Sequence, residues 1–99
     1  MTRLVFDVET DGLDATKIWC IVAQDVESKE IYSYGPDKLD DGYDLLESAN
    51  DLVGHNIIGF DIPVIRRIMD KPTFAEDKTI IDTLVLSRLF NPVKDGGHS

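Results

Sequence analysis

The sequence contains one cysteine, Cys20, so the chain cannot form an internal disulfide, and it has no paired-cysteine metal motif. It has no apolar run close to the roughly 18 residues that a membrane-spanning helix needs. Residues 1–3 lead directly into a strand-like segment, without the apolar core of a signal peptide. These absences predict a cytoplasmic protein with no membrane contact.

Basic residues are scarce, since ten lysines and arginines stand against 19 aspartates and glutamates, for a net charge of −9. A protein that grips nucleic acid through its phosphates usually carries clustered lysines and arginines. The only adjacent basic pair here is Arg66 and Arg67. Composition alone therefore favours an acidic, solvated surface. If the chain handles DNA, metal ions or another part of a larger assembly must supply the positive charge.

The 99 residues suffice for one small domain, and a composition of 42% hydrophobic and 29% charged residues suits a folded one. Hydrophobic periodicity predicts strands over residues 3–9, 17–26, 30–34, 51–55 and 79–81. It predicts helices over residues 43–49, 61–69 and 83–90, with loops over residues 35–42, 56–60 and 71–78. The first three strands have connections too short for a helical crossover, so they form an antiparallel meander. The order predicts an α/β fold in which three antiparallel strands precede alternating helices and strands.

Residues 91–99 contain a proline and a glycine pair and are predicted to form a disordered tail. A complete α/β sandwich of this kind usually adds further helices after the last strand. The pattern therefore favours a single partial domain over residues 1–99, the front portion of a longer one.

Asp7 and Glu9 lie two residues apart on the first predicted strand, so both side chains leave the same face, while Val8 points into the core. Two carboxylates on one strand face repel each other unless a cation lies between them, and divalent metals with oxygen ligands are the natural candidates. The alternative is a solvated pair at an exposed strand end. An aspartate and a glutamate in this spacing do not by themselves decide between the two.

Asp61 lies where the loop of residues 56–60 meets the following helix. A carboxylate at a helix start is favoured as a cap, which is one interpretation of this residue. The other is a third metal ligand, because the junction follows a strand expected beside the one with Asp7 and Glu9. His55 and Asn56, at the end of that strand, either orient the site and contact a substrate or form loop hydrogen bonds.

Three segments together resemble a known family. FDVET (residues 6–10) resembles the first motif of the DEDD exonucleases, and the stretch from GHN (54–56) to FD (60–61) resembles their second motif. IDTLVLSRL (residues 81–89) resembles the stretch that follows in the proofreading domains of phage-type family A DNA polymerases. The resemblance covers nearly the whole chain and implies the ribonuclease-H-like fold of those domains.

The third motif of that family places a tyrosine or histidine and a fourth carboxylate on a later helix, and these 99 residues lack it. Tyr43 with Glu47 imitates the motif, but the pair precedes the second motif and lies in an ordinary amphipathic helix, so we reject it. The resemblance therefore implies the amino-terminal portion of an exonuclease domain, inactive as an isolated chain.

The resemblance implies a 3′–5′ DNA exonuclease that hydrolyses phosphodiesters with two divalent ions, Mg²⁺ or Mn²⁺. It assigns catalysis and metal binding to Asp7, Glu9 and Asp61. It assigns substrate contacts to Thr10, His55, Asn56 and Phe60. The substrate would be the single-stranded 3′ end of DNA, and the partner would be the remainder of a DNA polymerase in a phage-infected host cell.

Alternatives stay open at this point. The chain could be a non-catalytic split or truncated exonuclease-like fold that binds a partner or forms a homodimer through apolar surface that missing helices leave open. It could also be a DEDD nuclease that acts on RNA, which only the IDTLVLSRL run opposes. Phe60 could pack in the core instead of contacting a base.

Overall fold

The computed structural model describes residues 2–90 of the chain, with side chains described for residues 2–86. The strands are β1 (Arg3–Thr10), β2 (Ile18–Asp25), β3 (Ile31–Tyr34), β4 (Asp51–Gly54) and β5 (Thr79–Asp82). The helices are α1 (Leu39–Ser48), α2 (Ile62–Ile68) and α3 (Thr83–Phe90), and a π-helical turn (Ile57–Asp61) leads directly into α2.

The strands form one five-stranded sheet in the order β3-β2-β1-β4-β5. β1 pairs with β2, and β2 with β3, in antiparallel fashion. β4 joins the other side of β1 in parallel, and β5 joins β4 in parallel. This confirms the predicted α/β fold, a mixed sheet of three antiparallel strands followed by alternating helices and strands. It also makes β1 the central strand, with neighbours on both sides.

β1 separates the two faces of the sheet by strict alternation. Leu4, Phe6 and Val8 are buried on one face, whereas Val5 and Asp7 are exposed on the other. The buried face packs against apolar side chains of α1, the π-helical turn and α2, among them Leu46, Ile57, Ile62 and Ile65. The carboxylates of β1 therefore lie on the face opposite this core.

The structure corrects the predicted start of the first helix. The proline, glycine and aspartate content of residues 35–42 predicts a loop, but α1 begins at Leu39. Asp40 and Asp41 occupy its first turn, where carboxylates interact favourably with the positive end of the helix dipole. Leu39 packs against the core, and Gly42 is buried. The first turn of α1 therefore has a loop-like composition, but core packing and the favourable charges at its start stabilise it as helix.

The predicted loop over residues 56–60 is also wrong in detail, because residues 57–61 form the π-helical turn. Asn56 precedes this turn in the left-handed conformation, with a φ of 59°. Asparagine is one of the few residues that adopt this conformation readily. Pro63 lies in the first turn of α2, where its fixed φ suits a helix.

No helix in the described part of the chain is long and apolar enough to cross a membrane. The tail predicted for residues 91–99 lies outside the described residues.

Candidate active site

Asp7 and Glu9 are both exposed on the same face of β1, and Val8 between them is buried on the other. Both carboxylates lie on the half of β1 that extends beyond its parallel pairing with β4, which ends at Val5. Their side chains are open to solvent near the end of the central strand. This is the same-face geometry predicted from the sequence spacing.

Asp61 reaches the same part of β1 from the end of the π-helical turn. Its side chain is only 4% exposed, and its Oδ2 accepts a hydrogen bond of 2.9 Å from the backbone N–H of Val8. Asp61 has helical backbone angles and makes no side-chain capping hydrogen bond to α2 within the described chain. The capping interpretation is therefore wrong, since the carboxylate is directed at the residue between Asp7 and Glu9.

The environment of Asp61 favours its protonated form. Burial raises the pKa of Asp61 from 3.8 to about 6, and the negative charges of Asp7 and Asp82 act in the same direction. The N–H of Val8 opposes this shift by favouring the carboxylate. The charge of Asp7 thus acts on a buried carboxyl group, an arrangement that a bound cation would relieve.

Asp82, at the end of β5, is a buried carboxylate to which the sequence analysis gave no role. It is 4% exposed. Its Oδ1 accepts hydrogen bonds from the N–H groups of Asn56 (2.8 Å) and Leu84 (2.9 Å), and its Oδ2 accepts one from Ile58 (2.9 Å). Burial alone would raise the pKa of Asp82, but the backbone N–H groups around it hold that pKa below its ordinary value. The sequence feature that could have indicated a role for Asp82 is its position between a predicted strand and a predicted helix.

The four predicted substrate-contacting residues differ in their placement. His55 and Asn56 are exposed at the end of β4, and His55 Nδ1 lies 3.1 Å from the Thr83 hydroxyl. Phe60 is half-buried and packs against the core. The hydroxyl of Thr10 donates to the carbonyl oxygen of Gly12 at 2.9 Å and so closes the turn after β1.

Exposed apolar side chains flank both motif segments. Leu13, in the loop after β1, is 94% exposed, and Ile58, in the π-helical turn, is 53% exposed. The loop that carries Leu13 is held by Asp11, whose carboxylate accepts hydrogen bonds from the N–H groups of Thr16 and Lys17. Hydrogen bonding to Thr16 and Lys17 lowers the pKa of Asp11 to about 2. The loop is thus ordered while its apolar tip faces solvent.

The described residues do not gather three or more Asp, Glu, His or Cys side chains closely enough to hold a metal ion. The predicted ligands nevertheless meet one chemical requirement, because all three are carboxylates and hard divalent ions prefer oxygen ligands. The negative charge of Asp7 contributes to the raised pKa of Asp61, after the larger effect of burial. The three residues therefore suit a divalent ion in donor type and charge, but in this structure their side chains are not gathered around one point.

No protein-family model and no curated protein matches this sequence. A solved structure, the family B DNA polymerase from the hyperthermophilic archaeon Pyrobaculum calidifontis, is similar with a TM-score of 0.55 and 16% sequence identity. The likeness supports the mixed α/β fold of the sheet and its helices. The similarity covers 71% of this chain and 11% of the polymerase chain. At this identity the likeness concerns the fold, and the neighbour belongs to family B, not to the expected phage-type family A.

Proposed function

We propose that this chain is the part of a polymerase-associated 3′–5′ exonuclease domain that carries its first two carboxylate motifs. In this proposal Asp7, Glu9 and Asp61 bind divalent metal, and the exposed end of β1 receives the 3′ end of single-stranded DNA. The hydrogen bond from Val8 to Asp61 carries the proposal, because it brings the second predicted motif onto the strand that bears the first.

Burial and charge support a ligand role for Asp61. A buried aspartate that served only packing would be stabilised by neutralising its charge with hydrogen bonds or a basic partner. Asp61 accepts a hydrogen bond from Val8, yet burial and the charges of Asp7 and Asp82 keep its pKa raised. Such a group favours a cation, and Asp7 and Glu9 add two exposed carboxylates on the adjacent strand.

The three carboxylates would share one task in the reaction, which is to hold the divalent ions. Divalent ions, Mg²⁺ or Mn²⁺, supply an activated water and stabilise the leaving 3′-oxygen in phosphodiester hydrolysis. Asp7 and Glu9 would bind from the solvent side of β1, where they are exposed. Asp61 would hold the ion through a carboxylate whose Oδ2 accepts the hydrogen bond from the N–H of Val8.

Substrate binding would use the polar and apolar groups that surround these carboxylates. His55 and Asn56 are exposed at the end of β4 and are placed to contact phosphate or sugar. Leu13 and Ile58 present apolar surface to solvent, which suits contact with unstacked bases of a single strand. Phe60 packs against the core, so it would support the turn more than it contacts a base. Thr10 would act by shaping the turn after Glu9.

We further propose the type of polymerase and the substrate from the sequence that follows the second motif. The run IDTLVLSRL (residues 81–89) favours a proofreading domain of a phage-type family A DNA polymerase, with the remainder of that polymerase as partner and an infected host cell as location. The net charge of −9 agrees with a module whose positive charge comes from bound metal and from the rest of such an enzyme. DNA, not RNA, is the substrate that this run favours.

A second candidate function rests on the exposed face of the sheet. Val5 and Ile31 are 40% and 66% exposed, and both are in register with Gln24 of the strand between them. Residues in register across neighbouring strands share a face, so these apolar side chains form part of one open surface. A non-catalytic module that self-associates through this surface would be dimeric by size-exclusion chromatography with light scattering, and mutation of Ile31 to lysine would make it monomeric.

Binding of a DNA 3′ end tests the proposed function. Fluorescence anisotropy of a short 5′-labelled oligothymidine with a non-hydrolysable 3′ linkage should rise with added protein when Mn²⁺ is present, and much less with EDTA. Asp7→Asn should abolish the metal-dependent rise, whereas Asp44→Asn, which removes one exposed acid from α1, should retain it. Equal binding with Mn²⁺ and with EDTA, or by both variants, would refute the proposal.

A further inference from the structure

We infer that Asp82 is a positioning residue, which fixes the π-helical turn so that the Asp61 carboxylate meets β1 beside Asp7 and Glu9. The inference deepens the proposed function and rests on it for the metal-binding role of Asp61. The positioning role of Asp82 is argued from its strand register and its hydrogen bonds, which do not depend on a bound metal.

Asp82 is placed next to the turn by strand pairing. β4 and β5 are parallel, and Gly54 at the end of β4 is in register with Asp82 at the end of β5. The chain leaves Gly54 and enters the turn at Ile57, so the carboxylate of Asp82 lies close to the amides at the entry to the turn. These amides, of Asn56 and Ile58, both donate to it, at 2.8 and 2.9 Å.

Backbone hydrogen bonds within the turn link the residues held by Asp82 to those beside Asp61. The N–H of Phe60 donates to the carbonyl oxygen of Asn56 at 3.0 Å, and the N–H of Ile62 donates to that of Ile57. Phe60 and Ile62 flank Asp61 in sequence. The carboxylate of Asp82 therefore fixes the residues at the start of the turn, and backbone hydrogen bonds fix the residues on either side of Asp61 relative to them.

The remaining contacts of Asp82 agree with this role. Its third hydrogen bond, from the N–H of Leu84, ties the same carboxylate to the start of α3. The three N–H groups bind two oxygens, and a neutral amide side chain offers only one acceptor oxygen to the same donors. Asp82→Asn would therefore present an NH₂ group to at least one backbone N–H, and the turn would have to move away from it.

The test uses the full chain, labelled with ¹⁵N, and two reporters of the Asp61 position. The first is hydrogen exchange of the Val8 amide, whose donor bond to Asp61 is lost when the turn moves. The second is the affinity for Mn²⁺. In Asp82→Asn, Val8 exchange should accelerate about tenfold more than that of Phe6 on the same strand, as expected for one lost hydrogen bond to a charged group. The Mn²⁺ affinity should fall by a similar factor.

Asp51→Asn is the matched control. Asp51 is also a buried aspartate, 7% exposed, but it is at the start of β4 and pairs with Arg3. Its substitution should lower stability while leaving the ratio of Val8 to Phe6 exchange and the Mn²⁺ affinity as in the wild type. If Asp82→Asn changes both reporters only as much as Asp51→Asn does, Asp82 is merely structural and the inference is wrong.

A second variant and a second outcome complete the test. Should Asp82→Asn fail to fold, Asp82→Glu retains the charge and lengthens the side chain, so it should shift the turn and still accelerate Val8 exchange selectively. A wild-type Val8 exchange ratio in a folded Asp82→Glu variant would overturn the inference. If the wild-type chain binds no Mn²⁺, the proposed metal site is refuted. The exchange rate of the Val8 amide then still tests the role of Asp82.

Discussion

The backbone N–H of Val8 and the carboxylate of Asp61, separated by 53 residues in sequence, form a buried hydrogen bond of 2.9 Å. Val8 lies between the two exposed carboxylates of β1, and Asp61 ends the π-helical turn. One bond therefore joins both motif segments. Because the N–H of Val8 lowers the pKa of Asp61, the ionisation of Asp61 depends on where β1 lies.

Replacing Asp61 with asparagine should change how stability depends on pH. The pKa of Asp61 is raised from 3.8 to about 6, so its contribution to stability is complete below pH 4 and is lost as the pH rises towards 6. This loss amounts to at most about 3 kcal/mol. Asparagine keeps an acceptor for Val8 but has no proton to lose. Urea denaturation between pH 4 and 7 should show a fall in the free energy of unfolding for the wild type that Asp61→Asn lacks. Parallel curves for the two proteins would contradict the pKa assignment.

Metal affinity should depend on the same ionisation. A divalent ion binds the carboxylate and not the carboxylic acid, so binding must release the proton that Asp61 holds below a pH of about 6. The apparent Mn²⁺ affinity of the wild type should therefore increase through this range and level off above it. Calorimetric titrations in buffers of different ionisation enthalpy, at pH 5.5 and 7.5, would reveal proton release at the lower pH only. No difference in proton release would count against Asp61 as a ligand.

Gly54→Ala should destabilise the fold where the two motif segments meet. A Cβ at this position would lie 2.4 Å from the Cγ2 atom of Ile57 and 2.8 Å from the carbonyl oxygen of Phe6. Neither neighbour can move freely, because Ile57 is fully buried and Phe6 belongs to β1. Thermal unfolding should show a loss of about 2–3 kcal/mol. Gly35→Ala is the control, since its nearest atom would be 3.7 Å away; equal losses would show that the crowding at Gly54 is relieved in solution.

Lys78→Met should destabilise the end of α1. The Lys78 side chain is only 4% exposed, and its Nζ donates to the carbonyl oxygens of Glu47 and Ala49 at 2.7 and 2.8 Å. Methionine retains the length but removes the donors, which leaves helix-end carbonyl groups unpaired at a cost of about 1–3 kcal/mol. Chemical denaturation measures this loss. The same change at the exposed Lys38 should be close to neutral, and a similar loss there would point to a general charge effect.

The purified 99-residue chain should release few or no nucleotides from single-stranded DNA with Mg²⁺. Asp7, Glu9 and Asp61 are three carboxylates, whereas the resemblance implies four together with a tyrosine or histidine that orients water. Under the proposed function, a site without such groups would lack several kcal/mol of transition-state stabilisation. A 3′-end release assay on denaturing gels measures this. Rapid release that Asp7→Asn abolishes would show that three carboxylates suffice.

Local patterns predicted those features that depend on local sequence. Alternation along residues 3–9 placed Asp7 and Glu9 on one face of a strand, and short connections predicted the antiparallel meander. The start of α1 was missed because residues 39–42 have a loop-like composition, although Leu39 and Gly42 pack against the core. The role of Asp82 was missed because its bonds to Asn56 and Ile58 join residues 26 and 24 positions apart. Hydrogen bonds between residues so far apart produce no periodic pattern in the sequence from which they could be predicted.

The most direct test of the account is a Mn²⁺ titration of the ¹⁵N-labelled chain, followed by paramagnetic broadening of its amide signals. The account predicts that signals of residues 7–9 and 61 broaden first, that Asp7→Asn and Asp61→Asn each abolish this selectivity, and that Asp44→Asn retains it. Broadening spread over the acidic surface, or unchanged by Asp7→Asn and Asp61→Asn, would contradict the proposed metal site.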